Sequence, residues 1–581
     1  MLVILIMGVT AFLVSALSKV TLQNARNEKS SDMLAQAKEV VIGYAVNGTA
    51  GTRPGDLMIP DVLSSTETPP YNYDGVTEGG CLDASKTGSS PIPGLPVIGS
   101  GANMRCLGRL PWKSFSMPIP SPSENDPTGS MPWYATSANL VDPANVTLNS
   151  ELLNTDNTPH GPNNYPAPPH PWLTVRDMKG NVLSDRVAFI IFIPGAVLSG
   201  QSRPLSATQG GPGLGGANQY LDSITVPATC TAPCVPGTYN NFDMDDDFIM
   251  GDEHRWIADP ANPGNQIEDS NYNFNDKLLY VTIDELMPLI EKRIAREAKN
   301  CLDDFASAPG NTNNRYPWAA SATDSTAYPD RIGTYNARFG RIPEVLNTST
   351  TSGGTPPTGT LLTYIQAVQT ALNNYLSNPN LITISTLRNK GDTLKDNTSS
   401  GTAAHDAGVT ADNCTILSCN TSTLQSQLDA AMGSGTPDST MPVSWTASCS
   451  LFITSIYWPD WRDLVFYQVA EGYRPGGGTF AGLQISGSGN TNGGSGSYRA
   501  VVVVAGKKLG TQTRPTYASP PADYLANPNA ALEKSVDPAF VPNAHDDAGS
   551  ATSFITYKPS DPYYQNVNDL VLCLDGKNNC K

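Results

Sequence analysis

The sequence predicts an α+β protein: a long N-terminal α-helix packed on an antiparallel β-sheet head, then a second tandem helix-plus-sheet module. Three observations carry this expectation. Residues 1–47 keep helical spacing with no proline to break it. Short apolar runs further on are closed by glycine turns, as strands are. One succession of strand and turn features also occurs twice. The expected domains are a helix over 1–47, a β-rich head over 48–283, and a second module over 284–581 with a loop-rich insertion at about 345–450.

Taken in order, residues 1–18 (MLVILIMGVTAFLVSALS) carry no charge. As a helix they would reach ~27 Å, close to the hydrocarbon thickness of a bilayer. Residues 19–47 turn amphipathic, with Val20, Met33, Leu34, Ala37, Val40, Val41 and Tyr44 set among Arg26, Glu28, Lys29, Lys38 and Glu39. A secretory signal opens with a charged region, whereas the first cation here is Lys19. The stretch therefore reads as a membrane anchor, or as a helix that leaves the bilayer for the core of a filament. Asn47-Gly48 ends it.

The repeat is legible in five places. Residues 188–204 read AFIIFIPGAVLSGQSRP and residues 500–515 read AVVVVAGKKLGTQTRP. Each is an apolar strand, a glycine turn and Leu-x-x-Gln-Ser/Thr-Arg-Pro. Tyr220-Leu221 and Tyr524-Leu525 follow, and each copy closes on Asn-Asp before a strand, at Asn275-Asp276 and Asn568-Asp569. Upstream, Trp133-Tyr134-Ala135 matches Phe466-Tyr467-Gln468, and Arg109-Leu110-Pro111-Trp112 is aligned with Arg315-Tyr316-Pro317-Trp318. Thr282 and Glu285 form a capping-box pattern ahead of the second module's helix. Its expected apolar stripe is Leu286, Leu289, Ile290, Ile294, Ala298, Cys301, Leu302 and Phe305, with Glu291, Lys292, Arg293, Arg296, Glu297 and Lys299 on the other faces. In the insertion, helices are expected at 361–376 and 422–432. Residues 390–421 and 484–498 read as polar loops.

Composition bounds the function. Charged residues are only 15% of the chain and the net charge is −17, which argues against nucleic-acid binding through phosphate contacts. The ten cysteines form an even set, several close in sequence, and suit disulfides in an exported chain. Proximity pairs Cys230 with Cys234, Cys414 with Cys419, Cys573 with Cys580, Cys81 with Cys106, and leaves Cys301 with Cys449. The acidic run Asp243, Asp245 and Asp247 is a weak candidate for an irregular calcium site. It does not fit an EF-hand, because Phe248 stands where glycine is required. No GxSxG, HExxH, phosphate-binding or dinucleotide-binding motif occurs. No enzymatic activity and no cofactor are expected.

A long apolar N-terminal helix ending in Ile42-Gly43-Tyr44-Ala45, a proline-rich loop, Gly108-Arg109-Leu110-Pro111-Trp112 and then Trp133-Tyr134-Ala135 resembles the type IV pilin-like and pseudopilin superfamily. The resemblance covers the first 140 residues best. It implies passage through the inner membrane, a prepilin peptidase, the pilus assembly machinery, and self-association into an extracellular helical filament. The assembly residues would be Met1, Leu2, Val3, Ile4, Leu5, Ile6, Met7, Val9, Phe12, Leu13, Val14 and Leu17. Leu5 departs from the pattern, because such subunits usually carry glutamate at the fifth mature position. That departure speaks for a minor or tip subunit acting in initiation or adhesion. A membrane-anchored envelope protein with a binding head is the third reading.

Overall fold

The computed structural model describes residues 27–48, 53–61, 75–77, 106–117, 131–137, 140–141, 147–154, 172–201, 203, 217–242, 247–251, 254–320, 339–346, 360–415, 418–431, 441–442, 444–475, 483–486, 498–510, 512–514, 523–525, 553–555 and 568–575. Over these residues the fold is mixed α+β. The chain divides into two units, Met1–Leu148 with Leu152–Ile290, and Asn149–Glu151 with Glu291–Lys581.

In the first unit, helix α1 covers 27–47; residues 1–26 lie outside the described residues. Met33, Leu34, Ala37, Val41 and Ala45 are buried, a spacing that places them on one helical face. The Tyr44 ring meets Phe115 edge-on at 5.5 Å. At the rim, Lys38 Nζ contacts Glu285 Oε1 at 2.6 Å and Lys277 Nζ donates to Asn27 Oδ1 at 2.8 Å. Gly48 closes the helix at φ 61°, its N–H reaching Tyr44 O.

Ten strands follow: β1 (Cys106–Arg109), β2 (Trp133–Thr136), β3 (Leu173–Arg176), β4 (Val182–Ile193), β5 (Ser223–Val226), β6 (Gly237–Asn240), β7 (Asp247–Ile249), β8 (His254–Ala258), β9 (Gln266–Phe274) and β10 (Lys277–Thr282). The last seven residues of β4 are buried throughout. Their unbroken apolar run, aromatic or branched except at Ala188, suits a central strand covered on both faces. β2 and β10 flank it and β1 pairs with β2, all antiparallel. The outer half of β4 pairs with β3, which carries β7 in parallel. β5–β6 and β8–β9 are separate hairpins.

Helix α2 (Ile283–Ala306) follows β10 directly. Glu285 N donates to Thr282 Oγ1 at 3.1 Å, the expected cap. The division between the units falls inside this helix. Its apolar stripe is buried apart from Leu289, which is 40% exposed, while Met287 and Ala295 are buried in addition. Glu291 and Lys299, expected on polar faces, are buried as well. The correction has a physical basis: each has a polar partner inside, Ser150 for Glu291 and Asp303 for Lys299.

The second unit holds β11 (Phe339–Arg341), helices α3 (Thr360–Ser377), α4 (Leu381–Asp396), α5 (Ala403–Asp412), α6 (Thr421–Ala431), α7 (Ala447–Ile453) and α8 (Trp458–Trp461), then β12 (Val465–Val469), β13 (Gln484–Ser486), β14 (Ala500–Val504), β15 (Ser553–Ile555) and β16 (Leu570–Leu574). α3 and α6 match the expected helices. α4 and α5 occupy much of the stretch read as a polar loop, and together with α3 and α6 they enclose a core of their own. Within 484–498, β13 pairs in parallel with β15, and Leu483 bridges Tyr498.

The two sheets share one pairing scheme. β1-β2-β4-β10 and β11-β12-β14-β16 are four antiparallel strands with equivalent registers. Arg109 faces Trp133 as Arg341 faces Phe466; Trp133 faces Phe192 as Phe466 faces Val503; Phe192 faces Leu278 as Val503 faces Val571. This corrects one alignment. The counterpart of Gly108-Arg109-Leu110-Pro111 is Gly340-Arg341-Ile342-Pro343, because each arginine pairs with the same position of the second strand. Arg315-Tyr316-Pro317-Trp318 lies just ahead of Ala320, which bridges Arg341 as Asp61 bridges Arg109. The RxPW spelling matched, but the position in the sheet does not.

Candidate functional site

Arginine–aromatic clamps stand at equivalent places in the two heads. In the first unit the Arg109 guanidinium lies 4.2 Å from the Trp133 ring centroid and 4.3 Å from that of Tyr220, with Nη1 donating to Met131 O at 2.7 Å. A second arginine, Arg203, stands 5.3 Å from Tyr220. It donates to Gly195 O at 2.8 Å, Tyr220 O at 3.0 Å and Gln201 Oε1 at 3.0 Å. The second unit repeats this with Arg341 over Phe466 and Tyr524 at 5.2 and 5.1 Å. Arg514 donates there to Gly506 O at 2.9 Å and Tyr524 O at 2.8 Å. The Leu-x-x-Gln-x-Arg spelling thus has a mechanical meaning. Gln201 and Gln512 accept from the backbone N–H of Leu198 and Leu509 and close the turn from within. Gly195 and Gly506 are required by close approach. An added Cβ would lie 2.1 Å from Asn275 Oδ1 in one and 2.4 Å from Asn568 O in the other.

Buried carboxyls sit beside these clamps. Asp222 Oδ1 accepts from Gln201 Nε2 at 2.8 Å and Oδ2 from Asn275 N at 2.7 Å, while Asp222 N donates to Asp276 Oδ2 at 2.7 Å. Burial pushes Asp222 up to about 6 despite these bonds. Asp276 is held well above the usual carboxylate range by burial and then by Asp222 beside it. In the second unit burial raises Glu291 to about 7, offset in part by the Ser150 hydroxyl donating to Oε1 at 2.8 Å. Asp222 and Asp276 join the segments around Gln201, Asn241 and Asn275, and Glu291 ties α2 to Ser150.

The residues singled out from the sequence fare unequally. Cys230–Cys234, Cys301–Cys449 and Cys414–Cys419 are paired, with Cα separations of 6.5, 4.3 and 4.4 Å. Cys106 opens β1 and Cys573 lies on β16, whereas Cys81 and Cys580 lie outside the described residues. Asp243 and Asp245 also lie outside them. Asp247 is held by Arg176 Nε at 2.8 Å. Among the described residues no group of three or more His, Cys, Asp or Glu could hold a metal ion. The assembly residues between Met1 and Leu17 lie outside the described residues. Among the described residues no helix is long and apolar enough to cross a membrane. Arg341 and Asp222 were missed. The usable signal for Arg341 was the Gly-Arg-Ile/Leu-Pro spelling, which lies downstream of the RYPW that drew the alignment away. Comparison with family models, with curated proteins and with solved structures finds no match.

Proposed function

We propose that the chain is a structural subunit of an extracellular pilus-like filament, polymerising through the apolar residues 1–18 of one long N-terminal helix. The observation that supports this reading is α1. Its apolar residues Met33, Leu34, Ala37, Val41 and Ala45 are buried. The uncharged residues 1–18 lie outside the described residues, and an apolar helix of that length would need lipid or other copies to cover it. Packing the same segment from many subunits would cover it without lipid, and a repeating heterologous contact generates a helical array. Two disulfide-braced heads would then form the outer surface. Leu5 favours a second reading, a minor or tip subunit.

Electron microscopy of the purified full chain tests this. Long filaments of this chain alone are expected, and Leu13→Lys should abolish them while the circular dichroism of the heads is unchanged. Filaments at normal yield from the Leu13→Lys variant would overturn the proposal. A single copy at filament ends would move it to the tip reading, and detergent-dependent monomers to a membrane-anchored envelope protein.

A further inference from the structure

The α3–α4 hairpin carries an exposed apolar corner. Leu376 on the last turn of α3 is 54% exposed, and Leu381 and Ile382, the first two residues of α4, are 73% and 79% exposed. The corner is not loosely built. Asn380 Oδ1 accepts from Ile382 N and Thr383 N at 2.9 and 3.0 Å, while Thr383 Oγ1 returns to Asn378 O at 2.8 Å. The opposite face of the hairpin is anchored by Leu372, Ile384 and Leu387 in the helical core. Three large aliphatic groups are thus held outward on a fixed, capped turn. No Asp, Glu, Lys or Arg occurs anywhere from Val345 to Leu387, so the corner and both helix ends beside it are uncharged.

We propose that this corner is a membrane-contact site that inserts into the surface of an uncharged, zwitterionic bilayer. The area decides against a protein partner. Three aliphatic side chains offer roughly 100 Å² each, whereas a stable protein interface needs about 800 Å² per partner. A bilayer makes no such demand. It accepts a small apolar wedge wherever the backbone is satisfied by its own helix and no charge has to leave water. The overall charge of −17 repels anionic headgroups, which leaves neutral ones. The inference stands whether or not the chain forms filaments.

Residues 1–18 would also enter lipid, so the test reads the corner itself in the full chain. None of the described cysteines is free, and Ile382→Cys therefore gives a specific site for an environment-sensitive fluorophore, with Asn389→Cys as a control on the same helix. With phosphatidylcholine vesicles the label at 382 should shift to the blue and lose roughly half of its emission to brominated lipid, a depth of about 5–10 Å. The label at 389 should not respond, and Leu376→Ser with Leu381→Ser should remove the response at 382. A silent label on vesicle-bound protein would overturn the proposal. So would a blue shift that follows protein concentration without lipid, which would mean a second copy, or an equal response to phosphatidylglycerol vesicles. Should the labelled variants misfold, hydrogen exchange on the unlabelled chain decides: protection of 376–386 by phosphatidylcholine supports the proposal, and its absence overturns it.

Discussion

The two units carry the same four-stranded sheet and the same arginine–aromatic clamp, yet they spend their remaining residues in different places. The first unit elaborates the connection between its third and fourth sheet strands, β4 and β10, with two hairpins and β7. The second elaborates the connection between its first and second, β11 and β12, with helices α3 to α8. Their helices are also secured differently. α1 meets the first head through aromatic edges, Tyr44 on Phe115 and Phe115 on Tyr134 at 6.2 Å. In the second unit Asp303 on α2 accepts from Lys299 Nζ at 2.6 Å and from the Tyr316 hydroxyl at 2.7 Å, while the equivalent tyrosine, Tyr467, donates to Pro317 O at 3.0 Å. What is common to both is the register and the clamp. Long insertions cost little when they leave from loops, because closure entropy grows slowly with length.

Breaking the covalent ties should separate the units most. The Cys301–Cys449 bond spans 148 residues and ties α2 to α7, whereas Cys230–Cys234 spans four. By chain entropy the first is worth about 5 kcal/mol and the second about 2. Cys449→Ser should therefore lower urea stability far more than Cys234→Ser, and hydrogen exchange should localise the loss to β14 rather than β4.

The clamps come next. Arg109→Ala should cost about 3–4 kcal/mol, since it forfeits two close ring contacts and a carbonyl acceptor inside the head. Arg341→Ala should cost less, because its rings stand about an ångström further off. Equal losses in thermal unfolding would mean that the ring geometry is irrelevant.

The buried carboxyls predict opposite-looking variants with one sign. A raised acid keeps its proton in the folded state after the unfolded chain has released it, so stability falls as pH rises through that window. For Asp222 the window runs from 3.8 to about 6, and for Glu291 from 4.5 to about 7. Glu291→Gln should accordingly stabilise the second unit by up to about 3 kcal/mol at pH 8 and have little effect at pH 4. Asp222→Asn should do the same for the first unit by up to about 3 kcal/mol, less the one bond, to Gln201 or Asn275, that its amide nitrogen cannot accept. Melting curves at the two pH values check both.

The smallest difference concerns the equivalent tyrosines. The Tyr134 hydroxyl is buried without a partner among the described residues, whereas that of Tyr467 has one. Tyr467→Phe should cost about 1 kcal/mol and Tyr134→Phe should be neutral or stabilising. A cost at Tyr134 would reveal a partner.

Much of this was open to a reader of the chain. The runs AFIIFI and AVVVV announce central strands by unbroken apolarity, and Trp133-Tyr134-Ala135 and Phe466-Tyr467-Gln468 fall on equivalent strands as their spelling implies. α5 escaped because its buried residues are Ala404, Ala407, Gly408 and Ala411, and α4 because Gly391 and a polar surround break up the apolar spacing of Ile384, Leu387 and Leu394. Gly391 and Gly408 let the two helices approach so closely that an added Cβ would lie 2.6 Å from Ala411 Cβ or 2.5 Å from Lys395 N. Small residues that serve close packing carry no hydrophobic periodicity to read.

By itself the sequence determined the α+β class, the repeated strands, the cap at Thr282 and the two short-range cysteine pairs, Cys230–Cys234 and Cys414–Cys419. All of these depend on residues near one another in the chain or on apolar runs that must be buried wherever they go. Only the tertiary structure decided that Gly340-Arg341 and not Arg315 matches Gly108-Arg109, that Asp222 and Glu291 are buried, and that Asp247 answers Arg176. Those facts depend on which distant segments meet across a sheet, and the desolvation and hydrogen bonding that set a polar group's state exist only once they have met.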